Sequence, residues 1–139
     1  MKKILVLCTG NSCRSQIAEG YLQYFAGNRA KVYSAGVETH GVNPLAVKTM
    51  QQDGIDISGH TSNHVSEYTH MEFDYVITVC DNAREQCPVF PSKAQKIHHN
   101  FPDPSKIIAG REETMKHFAI VRDEIKDFCR EFVERYIKE

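Results

Sequence analysis

Lys2-Lys3-Ile4-Leu5-Val6-Leu7-Cys8-Thr9-Gly10-Asn11-Ser12-Cys13-Arg14-Ser15 decides how the rest of the chain is read. The unbroken apolar run Ile4–Leu7 has the pattern of a short strand covered on both faces, as strands of parallel sheets are. It runs into a compact loop that opens into residues of helical periodicity, so the order is strand, loop, helix. Five residues separate Cys8 from Arg14. A loop of that size can curl into a bowl whose backbone N–H groups point inward. At a helix N-terminus such a bowl is a site for a tetrahedral oxyanion. On this reading Thr9, Gly10, Asn11, Ser12, Cys13, Arg14 and Ser15 bind the anion, Gly10 supplies the backbone freedom, and Arg14 offers a planar fork to two oxygens. Cys8 then lies beneath the anion, with its thiolate favoured by the N–H dipoles and the Arg14 charge and with Ser15 placed to donate to it. The loop thus combines an anion site with a nucleophile aimed at the anion's central atom. The bland alternative is a buried Cys8 that packs as a small hydrophobe beside a surface Arg14.

Outward from the loop, Ile17, Tyr21, Leu22 and Phe25 recur at helical spacing and predict a helix to about Ala26, stopped by Gly27 and Asn28. Lys31–Ala35 reads as a second strand ending at Gly36, which makes a βαβ unit and implies a parallel sheet. The oxyanion loop then lies at the carboxyl end of the first strand, where open α/β sheets place their ligands. Asn43-Pro44 starts another helix, with Asn43 as N-cap and Ala46, Val47 and Met50 on its inner face, and Gly54 ends it. The stretch His60–His70 is polar. His60, His64 and His70 lack a cysteine or carboxylate at ligand spacing, so they are read as exposed loop histidines rather than a metal site. Phe73–Val79 is the clearest central strand and ends at Cys80. Asp81–Gln86 reads as a short helix, Cys87-Pro88 closes it, Val89–Pro91 leads into a loop, and Gln95–His99 is a weaker last strand. Phe101-Pro102-Asp103-Pro104 is a rigid turn holding one carboxylate. A long helix follows from about Glu112 to Ile137, with Phe118, Val121, Ile125, Phe128, Phe132 and Tyr136 as its buried stripe and Cys129 beside it as a core residue.

With 139 residues, 41% hydrophobic and 25% charged, the chain suits one soluble domain, 1–139, with a real core. A net charge of −1 gives no basic field for nucleic acid, and no apolar run is long enough to cross a membrane. The apolar N-terminal run is too short for a signal peptide, so a cytoplasmic location is expected. In a reducing compartment Cys8, Cys13, Cys80, Cys87 and Cys129 read as catalytic, redox-active or buried rather than as a disulfide framework. Cys80 and Cys87 are seven residues apart, about 10 Å along a continuous helix at 1.5 Å per residue. A disulfide needs Cα atoms within roughly 7 Å, so any pairing of these two requires the segment between them to bend or unwind. Taken alone, Cys80 also reads as a buried strand end, Cys87 as an ordinary loop cysteine and Asp103 as a turn former.

Val6–Ser15 resembles the phosphate-binding loop of the low-molecular-weight protein tyrosine phosphatase superfamily. Within it, the loop, Tyr33-Ser34-Ala35-Gly36, Asn43-Pro44 and the spacing of the later cysteines resemble the thioredoxin-coupled arsenate reductases, over nearly the whole chain. The resemblance implies an α/β fold: a single domain with a four-stranded parallel sheet flanked by helices. It implies that Cys8, Arg14, Ser15, Cys80, Cys87 and Asp103 are catalytic, with Asp103 as general acid. It further implies a Cys8–Cys80 disulfide passed to Cys80–Cys87 and reduced by thioredoxin, or by a glutathione-based partner. Arsenate is the implied substrate, phosphate and sulfate are competing oxyanions, no cofactor is needed, and the protein is expected to be a monomer. Some relatives bind potassium at positions matching Asn11, Glu19, Ser34 and Asn63. Asn63 replaces an acidic residue there, so weak or absent potassium dependence is expected. The alternative is a tyrosine phosphatase using only Cys8, Arg14 and Asp103, although Ser105-Lys106-Ile107 lacks the tyrosines that would stack on an aryl ring. A non-enzymatic oxyanion sensor would use the same loop without Asp103.

Overall fold

A computed structural model describes residues 1–87, 93–106 and 110–138. The predicted Val89–Pro91 loop lies outside the described residues. Four strands, β1 (Lys2–Cys8), β2 (Ala30–Gly36), β3 (Tyr75–Thr78) and β4 (Gln95–His98), form one sheet in the order β2-β1-β3-β4, and every pair is parallel. β1 is central, and Ile4, Leu5, Val6 and Leu7 are fully buried, which is why the run carries no polar residue. Flanking it are α1 (Arg14–Ala26), α2 (Pro44–Gln52), the five-residue α3 (Asp81–Glu85) and α4 (Arg111–Tyr136).

The predicted stops and starts match local chemistry. The α1 helix ends at Ala26, where Gly27 takes a φ of 59°, and Asn43 caps α2 by accepting from the Leu45 N–H at 2.8 Å. The α4 stripe is Phe118, Val121, Ile125, Cys129, Phe132 and Val133, all buried, so Cys129 is core as expected, while Phe128 and Tyr136 are only half-buried at the margin. Strand β3 is shorter than predicted because Phe73 and Asp74 precede the ladder. The Asp74 side chain accepts from Lys3 N–H (2.8 Å) and its backbone N–H donates to Lys3 C=O (2.9 Å), pinning the strand's entry to β1. The parallel arrangement brings Cys8 and Cys80, both at carboxyl ends of neighbouring strands, to the same edge of the sheet.

Candidate active site

Residues 9–13 curl between β1 and α1, and a second segment, Val37–Asn43, wraps the outside of the curl. Val37, Glu38, His40 and Asn43 donate backbone N–H bonds to the carbonyls of Cys8 (3.3 Å), Thr9 (2.9 Å), Gly10 (3.0 Å) and Ser12 (3.0 Å). With the loop carbonyls engaged outward, its N–H groups are left to the interior, the geometry that a bound anion requires. Gly36 is where the two segments cross. A Cβ there would lie 2.4 Å from Glu38 O, 2.6 Å from Thr9 O and 2.8 Å from Asn11 N.

The curl itself corrects one expectation. Asn11, not Gly10, takes the left-handed conformation, with φ of 49°. Gly10 lies under the His40 ring, where a Cβ would fall 2.6 Å from Nδ1 and the exposed ring would have to swing aside. Asn11 is fully buried and braces the loop. Its Nδ2 donates to Ser15 Oγ (2.8 Å) and Ser34 Oγ (2.9 Å), and its Oδ1 accepts from Asn63 N–H (2.8 Å). Ser15, expected to serve the Cys8 sulfur, is thus engaged as an acceptor in this brace. Ser34 donates in turn to Glu19 Oε1 (2.5 Å).

These brace residues include the four matched to a potassium site. Burial raises the Glu19 pKa, opposed by the Ser34 hydrogen bond and by His60. His60 is therefore not a free loop histidine: Nε2 lies 3.4 Å from Glu19 Oε2 and Nδ1 3.0 Å from Gln16 Oε1. The Asn63 side chain turns to Glu67 (3.2 Å) rather than toward Glu19. No group of three or more His, Cys, Asp or Glu side chains suited to a metal ion occurs among the described residues.

Inside the curl is a cavity of about 390 Å³ lined by Cys8, Thr9, Gly10, Ser12, Cys13 and Arg14 from the loop, and by His40, Asp103, Ser105 and Lys106 from outside it. Arg14 Nη1 donates to Phe101 C=O (3.0 Å) and Nη2 lies 3.5 Å from Asp103 Oδ2. The guanidinium thereby ties the Phe101–Pro104 turn to the cavity and sets Asp103 at its wall. Asp103 Oδ1 accepts from Ser105 N–H (3.0 Å) and Oγ (2.7 Å), which fixes the carboxylate's orientation. Cys13 also lines the cavity. Its thiol is pushed up to about 11 by burial and by Asp103.

Cys80 completes the site. Its sulfur caps α3, accepting from Ala83 N–H at 3.4 Å, and lies 3.3 Å from Thr9 Oγ1. Interaction with the Cys8 thiol, with help from Thr9 and the Ala83 N–H, draws the Cys80 thiol down to about 5, while the same interaction and burial push Cys8 upward against the pull of Arg14. Donors thus converge on the Cys80 sulfur, while Arg14 lowers the Cys8 pKa. Cys87 is half-buried just beyond α3, and burial raises its pKa. Cys8, Thr9, Gly10, Ser12, Cys13, Arg14 and Asp103 thus line one cavity, Asn11 and Ser15 lie buried behind it, and Cys80 meets the loop at Thr9. Sequence reasoning missed the contributions of His40, Ser105, Lys106 and the Thr9 side chain, which no local pattern marks.

An anion-shaped loop with a cysteine at its base, an arginine fork and a carboxylate at the wall defines a class of cysteine-dependent oxyanion enzymes. The chain belongs to the low-molecular-weight phosphotyrosine protein phosphatase family, whose model matches residues 3–139. It is 46% identical to the arsenate reductase of Bacillus subtilis (strain 168) over 133 residues, covering 96% of each chain. It is 47% identical to that of Halalkalibacterium halodurans over the same length, again 96% of each. A solved arsenate reductase in its phosphate-binding state superposes with a TM-score of 0.80 at 29% identity, over 99% of this chain and all of that one.

Proposed function

We propose that the protein reduces arsenate to arsenite through Cys8, Cys80 and Cys87, with electrons from thioredoxin. The observation that carries this reading is the Cys80 sulfur, held against Cys8 at the oxyanion cavity and supplied with donors that stabilise its thiolate. A phosphatase needs no second activated thiol there. Among the described lining residues the sole ring is that of His40, so the cavity suits a small free oxyanion better than an aryl ester.

Arsenate enters the loop against the inward N–H groups and Arg14. Cys8 passes its proton to the neighbouring Cys80 and attacks arsenic. The displaced oxygen leaves as water with a proton from Asp103. Cys80 returns a proton to an arsenic oxygen and attacks the Cys8 sulfur. The S–As bond breaks with its electron pair on arsenic, which departs as arsenite, and Cys8–Cys80 is a disulfide. Cys87 then attacks Cys80, its proton goes to the released Cys8, and a thioredoxin dithiol reduces the Cys80–Cys87 disulfide, itself becoming oxidised.

The test is arsenate-dependent NADPH oxidation with thioredoxin and thioredoxin reductase, for the wild type and Cys87→Ser. Turnover lost in the variant supports the three-thiol relay. Turnover retained removes Cys87 from it, and an inactive wild type that hydrolyses an aryl phosphate replaces the reading with a phosphatase.

A further inference from the structure

Among the described residues, Thr9 of the loop touches the segment from Cys80 to Cys87 at the Cys80 sulfur and at Asn82, and the end of β4 holds it at Asp81 through two bonds. His98 pairs with Thr78 in the sheet register, and its Nδ1 lies 2.7 Å from Thr78 Oγ1. Its other ring nitrogen, Nε2, donates to Asp81 Oδ1 at 2.8 Å. Two residues on, Asn100 Oδ1 accepts from Asp81 N–H at 3.1 Å. The backbone on either side of Asn100 is itself fixed, since His99 N–H donates to Thr78 C=O and Phe101 N–H to Val79 C=O, each at 3.0 Å. Asp81, the residue after Cys80, is therefore held by its carboxylate and its amide. The other charge facing that carboxylate is Arg84 of the same short helix, at 3.8 Å.

We propose that His98, assisted by Asn100, is a positioning residue of the relay: a latch that holds Asp81, and through it Cys80, in place to resolve Cys8, and that must open before Cys80 can reach Cys87. The inference rests on the three-thiol reading above. The latch bonds exist in the dithiol arrangement, and pairing Cys80 with Cys87 requires residues 81–86 to unwind. Bonds made in the dithiol state alone stabilise it relative to the disulfide, so the latch makes the Cys80–Cys87 couple easier for a thioredoxin-type donor to reduce. It also favours the first disulfide exchange and retards the second.

The test compares His98→Leu, which removes the bond, with His98→Gln, whose side-chain amide can still donate to Asp81. Full-length protein is equilibrated in thiol–disulfide buffers, and its Cys80–Cys87 disulfide is quantified by mass spectrometry of trapped peptides. Single arsenate turnovers are acid-quenched to follow the order of disulfides. His98→Leu is expected to move the couple about tenfold toward disulfide, about 30 mV more negative for two electrons. It slows Cys8–Cys80 formation, hastens its conversion to Cys80–Cys87, and His98→Gln restores most of both. Unchanged potential and unchanged order in the leucine variant overturn the latch and leave the relay standing. A glutamine variant that matches the leucine variant also overturns it, because ring packing then explains the effect. A wild type that never forms Cys80–Cys87 overturns the relay and the latch with it. Should His98→Leu fail to fold, Asn100→Ala, which removes the other grip, carries the same expected sign.

Discussion

The loop after β1 and the segment after β3 both begin with a cysteine at the carboxyl end of a buried parallel strand, yet they are held by different kinds of contact. The Cys8 loop is enclosed by backbone. Four carbonyls are taken by the Val37–Asn43 segment, and the fully buried Asn11 braces it from inside. The Cys80 segment is a single short helix of which Ala83 alone is buried, tied through Asp81, Asn82 and the Cys80 sulfur. The difference teaches what each has to do. A bowl that recognises a tetrahedral anion works by keeping its donors fixed through the cycle. In the proposed relay the Cys80 segment must come apart to hand a disulfide outward, and few buried contacts make local opening easy.

The comparison can be broken most severely at Gly36. Gly36→Ala forces a methyl into three backbone atoms that cannot give way, and should destabilise the fold by roughly 3 kcal/mol or more. Thermal unfolding should show a drop on the order of 10 °C, with loss of phosphate binding in calorimetry. Asn11→Ala comes next. It leaves the Asn63 amide and two buried hydroxyls short of a partner, for a cost of about 2–3 kcal/mol and a raised KM for arsenate.

The third effect is on reactivity. A thiol drawn down to about 5 is a thiolate above that pH, so Cys80 should keep alkylating with iodoacetamide between pH 6 and 7. Cys87, shifted upward, should fall silent in that window. Peptide mass mapping across pH reads both, and equal rates would remove the activated second thiol. The smallest effect belongs to the exposed face of α3. Glu85→Ala should change stability by under about 0.5 kcal/mol, and a larger loss would mean the segment is packed as firmly as the loop.

What the sequence discloses follows the same division. The strand–loop–helix opening, the βαβ unit, the Asn43 cap and the α4 stripe are legible because period and capping are local. The Cys8–Arg14 spacing likewise marks a bowl, since the loop's closure is short-range. The sequence points to Gly10 for the left-handed residue because glycine is the usual donor of that conformation, whereas Asn11 adopts it. The ring that lies over Gly10, His40, arrives from thirty residues away. The lowering of the Cys80 pKa is equally hidden. It depends on Thr9 and on a helix N-terminus meeting Cys8 across two strands, and no periodicity in one dimension encodes that convergence.

The placement of β1 has a consequence for synthesis. The first strand made is the central one, and Ile4 finds its partner Tyr75 some seventy residues later. At ~5–20 residues per second of translation, the most apolar segment of the chain waits for several seconds with one edge uncovered. Parallel pairings of such long separation also form slowly in the finished chain. The two lysines that precede Ile4 are exposed, and they place like charges at the start of that waiting edge, where two nascent copies would otherwise adhere.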